Sequence, residues 1–244
     1  MSTRSAPAPS ALARSPPTDR RSLRPPLFLL NLKAYPGCLG ADAERFGATL
    51  GRLSDEAGVS AALAPAAPDI ARVAATLTIP VVAQHVDPVD PGARTGWIPV
   101  EAIRAAGAVG SLLNHSEHPL PAAQVGLGVQ RLRAAGLVPI VCAGTPDEAE
   151  ELAHFQPPYL AIEPPELIGG DISVSSAQPE VIRGTVDRVR RVAPDTHVLC
   201  GAGIHHRSDV AAALDLGSQG ILVASAVAKS ADPARAIAEL LAGF

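Results

Sequence analysis

Aromatic side chains are scarce in this chain: they make up 3% of its 244 residues, with one tryptophan and two tyrosines. Single strands of nucleic acid are gripped by stacking their bases on aromatic rings, so this composition argues against that class of partner. A surplus of positive charge is missing as well. The formal net charge is −4, which argues against general binding to a phosphate backbone. No apolar run approaches the ~20 residues that a membrane-spanning helix needs, so no membrane association is expected. Only three cysteines occur, Cys38, Cys142 and Cys200, far apart and odd in number. They form neither a disulfide framework nor a zinc knuckle; they read as small buried apolar groups in a reducing cytoplasm.

Hydrophobic residues, at 47%, are ample for a sizeable core. The first 26 residues stand apart, with six prolines, five serines and five arginines against one aspartate. Their local charge of +4 leaves about −8 on the remainder. Such a segment buries too little to offset its ordering entropy, so residues 1–26 are expected to be a disordered tail preceding one domain at 27–244.

From residue 27 a single rhythm repeats. Apolar runs stand at LFLLNL, SAALAPA, PVVAQHV, AVGSLLN, VPIVCAG, YLAIE, HVLCGAG and GILVASAV, each entered or left through polar, Gly or Pro residues as buried parallel strands are. Helical start signals lie between them. Thr145 is expected to cap a helix with Pro146 in its first turn and Glu148 completing a capping box. Asp232 with Pro233 repeats the device, Ser208 caps a helix stopped by Gly217, and Pro68–Asp69 and Pro99 open two more. Eight strands alternating with helices imply an α/β fold with a parallel sheet. The competing open sheet usually carries a Gly-rich dinucleotide fingerprint after its first strand. Here Asn31–Gly37 reads NLKAYPG, and a closed (β/α)8 barrel is favoured.

Chemistry in such barrels sits at the carboxyl ends of the strands. Asn31 and Lys33, two apart on one strand, project together toward the barrel mouth. The fourth strand ends in NHSEH, with His115 and His118. Their HxxH spacing alone is weak evidence for a metal, because no HExxH motif or cysteine cluster accompanies it. His205 and His206 follow the seventh strand and read as a solvated loop. The sixth strand ends in a lone carboxylate, Glu163, stiffened by Pro164 and Pro165. The tip that follows, Glu166–Ile168, precedes the flexible Gly169 and Gly170. A rigid base beside a movable lid suits a reaction whose intermediate must be kept from water. At the last two strand ends Gly201, Gly203, Ala224 and Ser225 leave backbone N–H groups accessible to an anion. One base, one acid or electrophile, one cation and an anion cradle fit proton abstraction next to a carbonyl on a small phosphorylated substrate. No nucleophilic Ser or Cys with a partner base stands there.

Taken together, NLKAY, AQHVDPV, TGWI, LLNHSEH, EPPELIGG, LCGAGI and AALDLGSQGILVASAV resemble the triosephosphate isomerase family in its compact archaeal form, in order over residues 27–244. The resemblance implies a single (β/α)8 TIM barrel. It also implies interconversion of dihydroxyacetone phosphate and glyceraldehyde 3-phosphate without metal or organic cofactor. That family is itself a standard example of side-chain roles set by environment, with a glutamate base and a neutral histidine electrophile. By the resemblance Glu163 is the base, His115 the electrophile, Lys33 the cation and Asn31 the orienting amide. Ile168, Gly203, Ala224 and Ser225, with Asn31 and Lys33, fall at positions on the phosphate side.

The chain departs from the family's pattern in places. Gly169-Gly170-Asp171 stands where the compact members close the lid with Gly-Thr-Gly, VCAG ends the fifth strand, and HHRS follows the seventh. DPGARTGW, residues 90–97 with Thr95 at its tip, lies where the family's dimer-forming loop lies, implying a homodimer or homotetramer. Two alternatives keep the same residues: an isomerase for a four-carbon sugar phosphate, and a weakly active binding or regulatory paralogue.

Overall fold

The computed structural model describes residues 22–164 and 178–244. The tail up to residue 21 and the segment 165–177, which contains the expected lid, lie outside the described residues.

Eight parallel strands form one sheet: β1 Leu27–Asn31, β2 Ser60–Ala64, β3 Val82–Ala83, β4 Gly110–Leu113, β5 Val138–Ala143, β6 Tyr159–Ile162, β7 His197–Gly201 and β8 Gly220–Val223. The chain's first strand pairs with both its second and its last, Leu27 facing Ser60 on one side and Gly220 on the other. The ring closes between β2 and β3 through a parallel bridge of Leu63 with Val81, where the Leu63 N–H donates to the Pro80 carbonyl at 3.0 Å. The barrel expected from the strand–helix alternation is thus the fold observed. Around it run α1 Ala41–Ala57, α2 Ile70–Thr76, α3 Val100–Ala105, α4 Ala122–Ala134, α5 Pro146–Ala153, α6 Pro179–Val192, α7 Arg207–Asp215, α8 Ser225–Ala228 and α9 Pro233–Leu241.

A strand turns successive side chains to opposite faces, and here both faces are dry. Leu27 and Leu29 belong to an inner cluster with Ala62, Ala64, Leu112, Ile140, Ala161, Leu199 and Leu222. Phe28 and Leu30 join the larger cluster between sheet and helices. All four are fully buried, each contributing about 1.5–3 kcal/mol of hydrophobic stabilisation. The same alternation carries Asn31 to the inner face, at the mouth. The strand crossing near Leu27 tolerates no side chain at Gly220, whose φ is 142° and whose added Cβ would lie 2.6 Å from the Leu27 nitrogen.

Helix starts follow the expected chemistry in two places. Thr145 Oγ1 accepts the Glu148 N–H at 3.1 Å, and Asp232 Oδ1 accepts the Arg235 N–H at 3.1 Å. Other caps differ. The cap of α7 is His206, not Ser208, in a capping box with Asp209. Glu148 does not return to the Thr145 N–H; it accepts from Gly144 N–H and from the Asn114 amide, both at 2.8 Å, tying α5 to the end of β4. Asp69 caps no helix of its own and accepts the Gly40 N–H at 2.9 Å. At the opposite end of the barrel Ser22–Pro26 run along the floor. Leu23 packs against the inner cluster, and the Arg24 N–H reaches Ser60 Oγ at 3.3 Å.

Candidate active site

Three residues at the mouth hold left-handed backbone without being glycine: Lys33 at φ 50°, Asn114 at φ 59° and Ala202 at φ 70°. Such conformations are costly and persist where surrounding contacts over-determine them. For Lys33 those contacts are clear. Asn31 Oδ1 accepts the Lys33 N–H at 2.9 Å, an Asx turn, and the Gln84 amide donates to the Lys33 carbonyl at 3.0 Å while also bonding Ala64. The turn aims the ammonium across the mouth to Glu117 Oε1 at 2.8 Å. Asn114 acts likewise under β4. Its amide donates to the Cys142 carbonyl at 3.0 Å and to Glu148, and its oxygen accepts the Leu120 N–H at 2.9 Å.

His115 follows directly and is buried. Its Nδ1 accepts the Glu117 backbone N–H at 3.1 Å. A nitrogen that accepts carries no proton, so the ring's N–H is on Nε2. That atom faces Glu163 Oε2 across 3.6 Å, too far for a hydrogen bond. Both atoms are buried, and neither has a hydrogen-bond partner. Burial raises the Glu163 carboxyl above its ordinary value, offset in part by His115, Lys33 and a hydrogen bond from the Cys142 thiol. The same burial, with Glu163 beside it, pushes the Cys142 thiol well up, so it stays a neutral donor.

In front of this pair opens a small cleft whose lining includes Asn31, Lys33, His115, Glu163, Gly203, Ala224 and Ser225. Apart from Gly201, the described residues expected to carry chemistry or an anion therefore line one cavity. Ile168 and Asp171 lie outside the described residues.

Some assignments shift. Gly201 is not in the cleft wall; it makes room for the base, since an added Cβ would overlap Glu163 Cγ and sit 2.9 Å from its carboxyl carbon. His118 stacks on His85, ring centroids 3.7 Å apart and 13° from parallel. Among the described residues no group of three or more His, Cys, Asp or Glu could hold a metal ion. His205 is not simply a solvated loop residue: it lines the cleft. Gln84, Asn114 and Glu117, which hold Lys33 and His115 in place, carried no role in the sequence reading. The bonds of Gln84 to Lys33, of Glu117 to Lys33 and of Asn114 to Cys142 and Glu148 join segments far apart in the chain, whereas the Glu117 N–H on His115 and the Leu120 N–H on Asn114 are local turn bonds.

The triosephosphate isomerase family model matches residues 26–241. The triosephosphate isomerase of Methanosarcina acetivorans is 43% identical over 216 residues, covering 88% of this chain and 97% of that protein. That of Caldivirga maquilingensis is 43% identical over 218 residues, covering 89% and 97%. The chain belongs to the triosephosphate isomerase family. It is an isomerase. A solved triosephosphate isomerase from Bartonella henselae shares the fold, with a TM-score of 0.72 over 89% of this chain and 98% of that one, at 19% identity.

The Gly201–Glu163 contact can be tested directly. Gly201→Ala is expected to lower kcat by about 10²-fold, the scale of a 1 Å misplacement of a reacting group. Overpacking should cost about 1–3 kcal/mol in chemical denaturation. Steady-state kinetics showing an unchanged kcat would mean that the carboxylate has room to spare.

Proposed function

We propose that this isomerase interconverts dihydroxyacetone phosphate and glyceraldehyde 3-phosphate. The observation that carries the reading is the buried pair of unsatisfied atoms, His115 Nε2 and Glu163 Oε2, 3.6 Å apart at the wall of the cleft. The Glu163 carboxylate takes a proton from the carbon beside the carbonyl. The C–H electrons form the carbon–carbon double bond, and the carbonyl pair moves to its oxygen. His115 gives that oxygen its Nε2 proton and takes one from the neighbouring hydroxyl, and Glu163 returns its proton to the other carbon. Lys33 stabilises the negative charge that develops on oxygen, and Asn31 fixes where Lys33 stands. The small residues Gly203, Ala224 and Ser225 let backbone N–H groups approach the phosphate. Ile168 is assigned to the same end on the resemblance. The chemistry needs neither metal nor organic cofactor.

The raised Glu163 fixes the direction of the pH dependence. The base works only when ionised, so kcat/KM falls as pH drops through its pKa. The acid limb is expected above the ordinary glutamate value of about 4.3. Lys33 favours the ionised form, so Lys33→Met should move that limb to higher pH. Glu163→Gln should lower kcat by about 10²–10⁴-fold with a modest change in KM. A coupled assay on three- and four-carbon sugar phosphates checks these expectations. Preferred turnover of a four-carbon substrate, or background turnover on all of them, would overturn the triose reading.

We also propose that the chain works as a homodimer or homotetramer in the cytoplasm. Residues 90–97 are exposed throughout, and the single tryptophan, Trp97, is 51% exposed at the end of that loop. The loop's base is fixed by Arg131 to Asp90 at 2.7 Å and by the Ile98 N–H to Asp87 at 2.6 Å, so the apolar ring is presented on a stiff support. Three unpaired, buried cysteines fit a reducing compartment, and no described helix is long and apolar enough to cross a membrane. Light scattering should give at least a dimer for the full chain and a smaller species for Trp97→Asp. A monomeric full chain would remove the proposal.

A further inference from the structure

Lysine is nearly absent from this chain, which holds two lysines against eighteen arginines. Arginines serve its surface ion pairs, Arg45, Arg72, Arg131 and Arg188 among them. Both lysines stand at the mouth of the barrel. Lys33 lies just past β1, and Lys229 just past α8, the short helix that follows β8. Those two strands are neighbours in the ring.

The two ammonium groups are held differently. Lys33 is paired at 2.8 Å with the carboxylate of Glu117, an exposed residue, so the pair presents no net charge to solvent. Lys229 is exposed and forms no ion pair among the described residues. Its Nζ rests 4.9 Å from the centre of the Tyr35 ring. An aromatic face attracts a cation without neutralising it, so a full unit charge is kept at this spot. Tyr35 is part of the cleft wall. The backbone fixes the other side: the Lys229 N–H donates to the Ser225 carbonyl at 3.0 Å, one helical turn from a residue on the proposed phosphate side. The Cys38 thiol donates to the Ala228 carbonyl at 3.8 Å, which fastens α8 to the segment after Tyr35.

Residues 27–244 carry a formal charge of about −8. A dianion approaching such a body is repelled at distances where hydrogen bonds do not yet act. A unit charge about 10 Å from a dianion in water changes its local concentration about fourfold. Salt shortens that reach, from about 30 Å at 0.01 M to about 8 Å at 0.15 M.

We infer that Lys229, held over Tyr35, is the cation that guides the phosphoryl dianion of the substrate into the cleft. It acts through its field and takes no part in proton transfer. The inference deepens the proposed function and rests on it for the phosphorylated substrate.

The test measures steady-state kinetics with glyceraldehyde 3-phosphate at about 0.01 M and about 0.15 M ionic strength. It compares full-length wild type with Lys229→Gln, Lys229→Arg, Lys229→Glu and Arg52→Gln. Lys229→Gln should lower kcat/KM about three- to fourfold at the lower ionic strength and less than about twofold at the higher, with kcat within about twofold at both. Lys229→Arg keeps the charge and should keep the wild-type values. Lys229→Glu reverses it and should lower kcat/KM about tenfold at low ionic strength. Arg52→Gln removes the same unit charge from α1, where Arg52 pairs with Glu56 at 2.8 Å, and should leave kcat/KM within about 1.5-fold. Equal kcat/KM for wild type and Lys229→Gln at low ionic strength, a loss that salt does not reduce, or an equal loss in Arg52→Gln overturns the inference. If the wild type turns over no triose phosphate, the proposed function fails. Calorimetric titration of the same variants with inorganic phosphate at both ionic strengths then still reads Lys229: weaker binding in Lys229→Gln at low ionic strength supports the guiding charge, and equal binding removes it.

Discussion

A carboxylate and an imidazole face each other at the end of the barrel without bonding, and the rest of the site is arranged around that gap. Glu163 Oε2 and His115 Nε2 are buried and unpartnered, 3.6 Å apart. Buried polar atoms are rarely left unsatisfied, because each forfeits about 1–3 kcal/mol. The carboxyl is also a burden on the folded state. Its pKa is raised by burial, so its contribution to stability is fully present below the unfolded value and is lost as pH rises through the folded one. A chain that carries both costs at one place holds donor and acceptor ready for a molecule that satisfies them together.

Keeping that gap open takes several distant elements. The Glu117 N–H on Nδ1 sets which His115 nitrogen carries the proton. Asn114 bonds β5, α5 and the loop after His115, so the histidine rides on a cross-braced turn. Gly201 on β7 clears the space that Glu163 fills. Lys33 is held in left-handed backbone by Asn31 and Gln84, which spends local strain on aiming one ammonium. Each support is a hydrogen bond or a missing methyl.

Much of this was legible in the chain's order. Eight apolar runs separated by helix signals point to a barrel because strand and helix periods differ and the alternation admits few topologies. Asn31, Lys33, His115 and Glu163 stood out because polar groups at the ends of buried strands must face something. Caps with a local signature, Thr145 and Asp232, were readable for the same reason. What stayed hidden depends on partners far away in sequence. Glu148 carries the right spacing for a capping box, yet the Asn114 amide and Gly144 N–H claim its carboxylate. Ser208 has the right chemistry for a cap, but Asp209 bonds the two N–H groups of His205 and His206 and starts the helix earlier. Gly201 resembles any glycine of an anion loop until Glu163 is seen behind it, and the stacking of His118 on His85 joins residues 33 positions apart in the sequence.

The central claim is that His115 presents a proton on Nε2, toward Glu163, because a backbone N–H occupies Nδ1. Nitrogen-15 NMR of imidazole-labelled protein at pH 8 reads the tautomer directly. The account predicts a bare Nδ1 and a protonated Nε2 for His115, both in the free enzyme and with a bound phosphorylated inhibitor. A proton on Nδ1 with a bare Nε2 would contradict it.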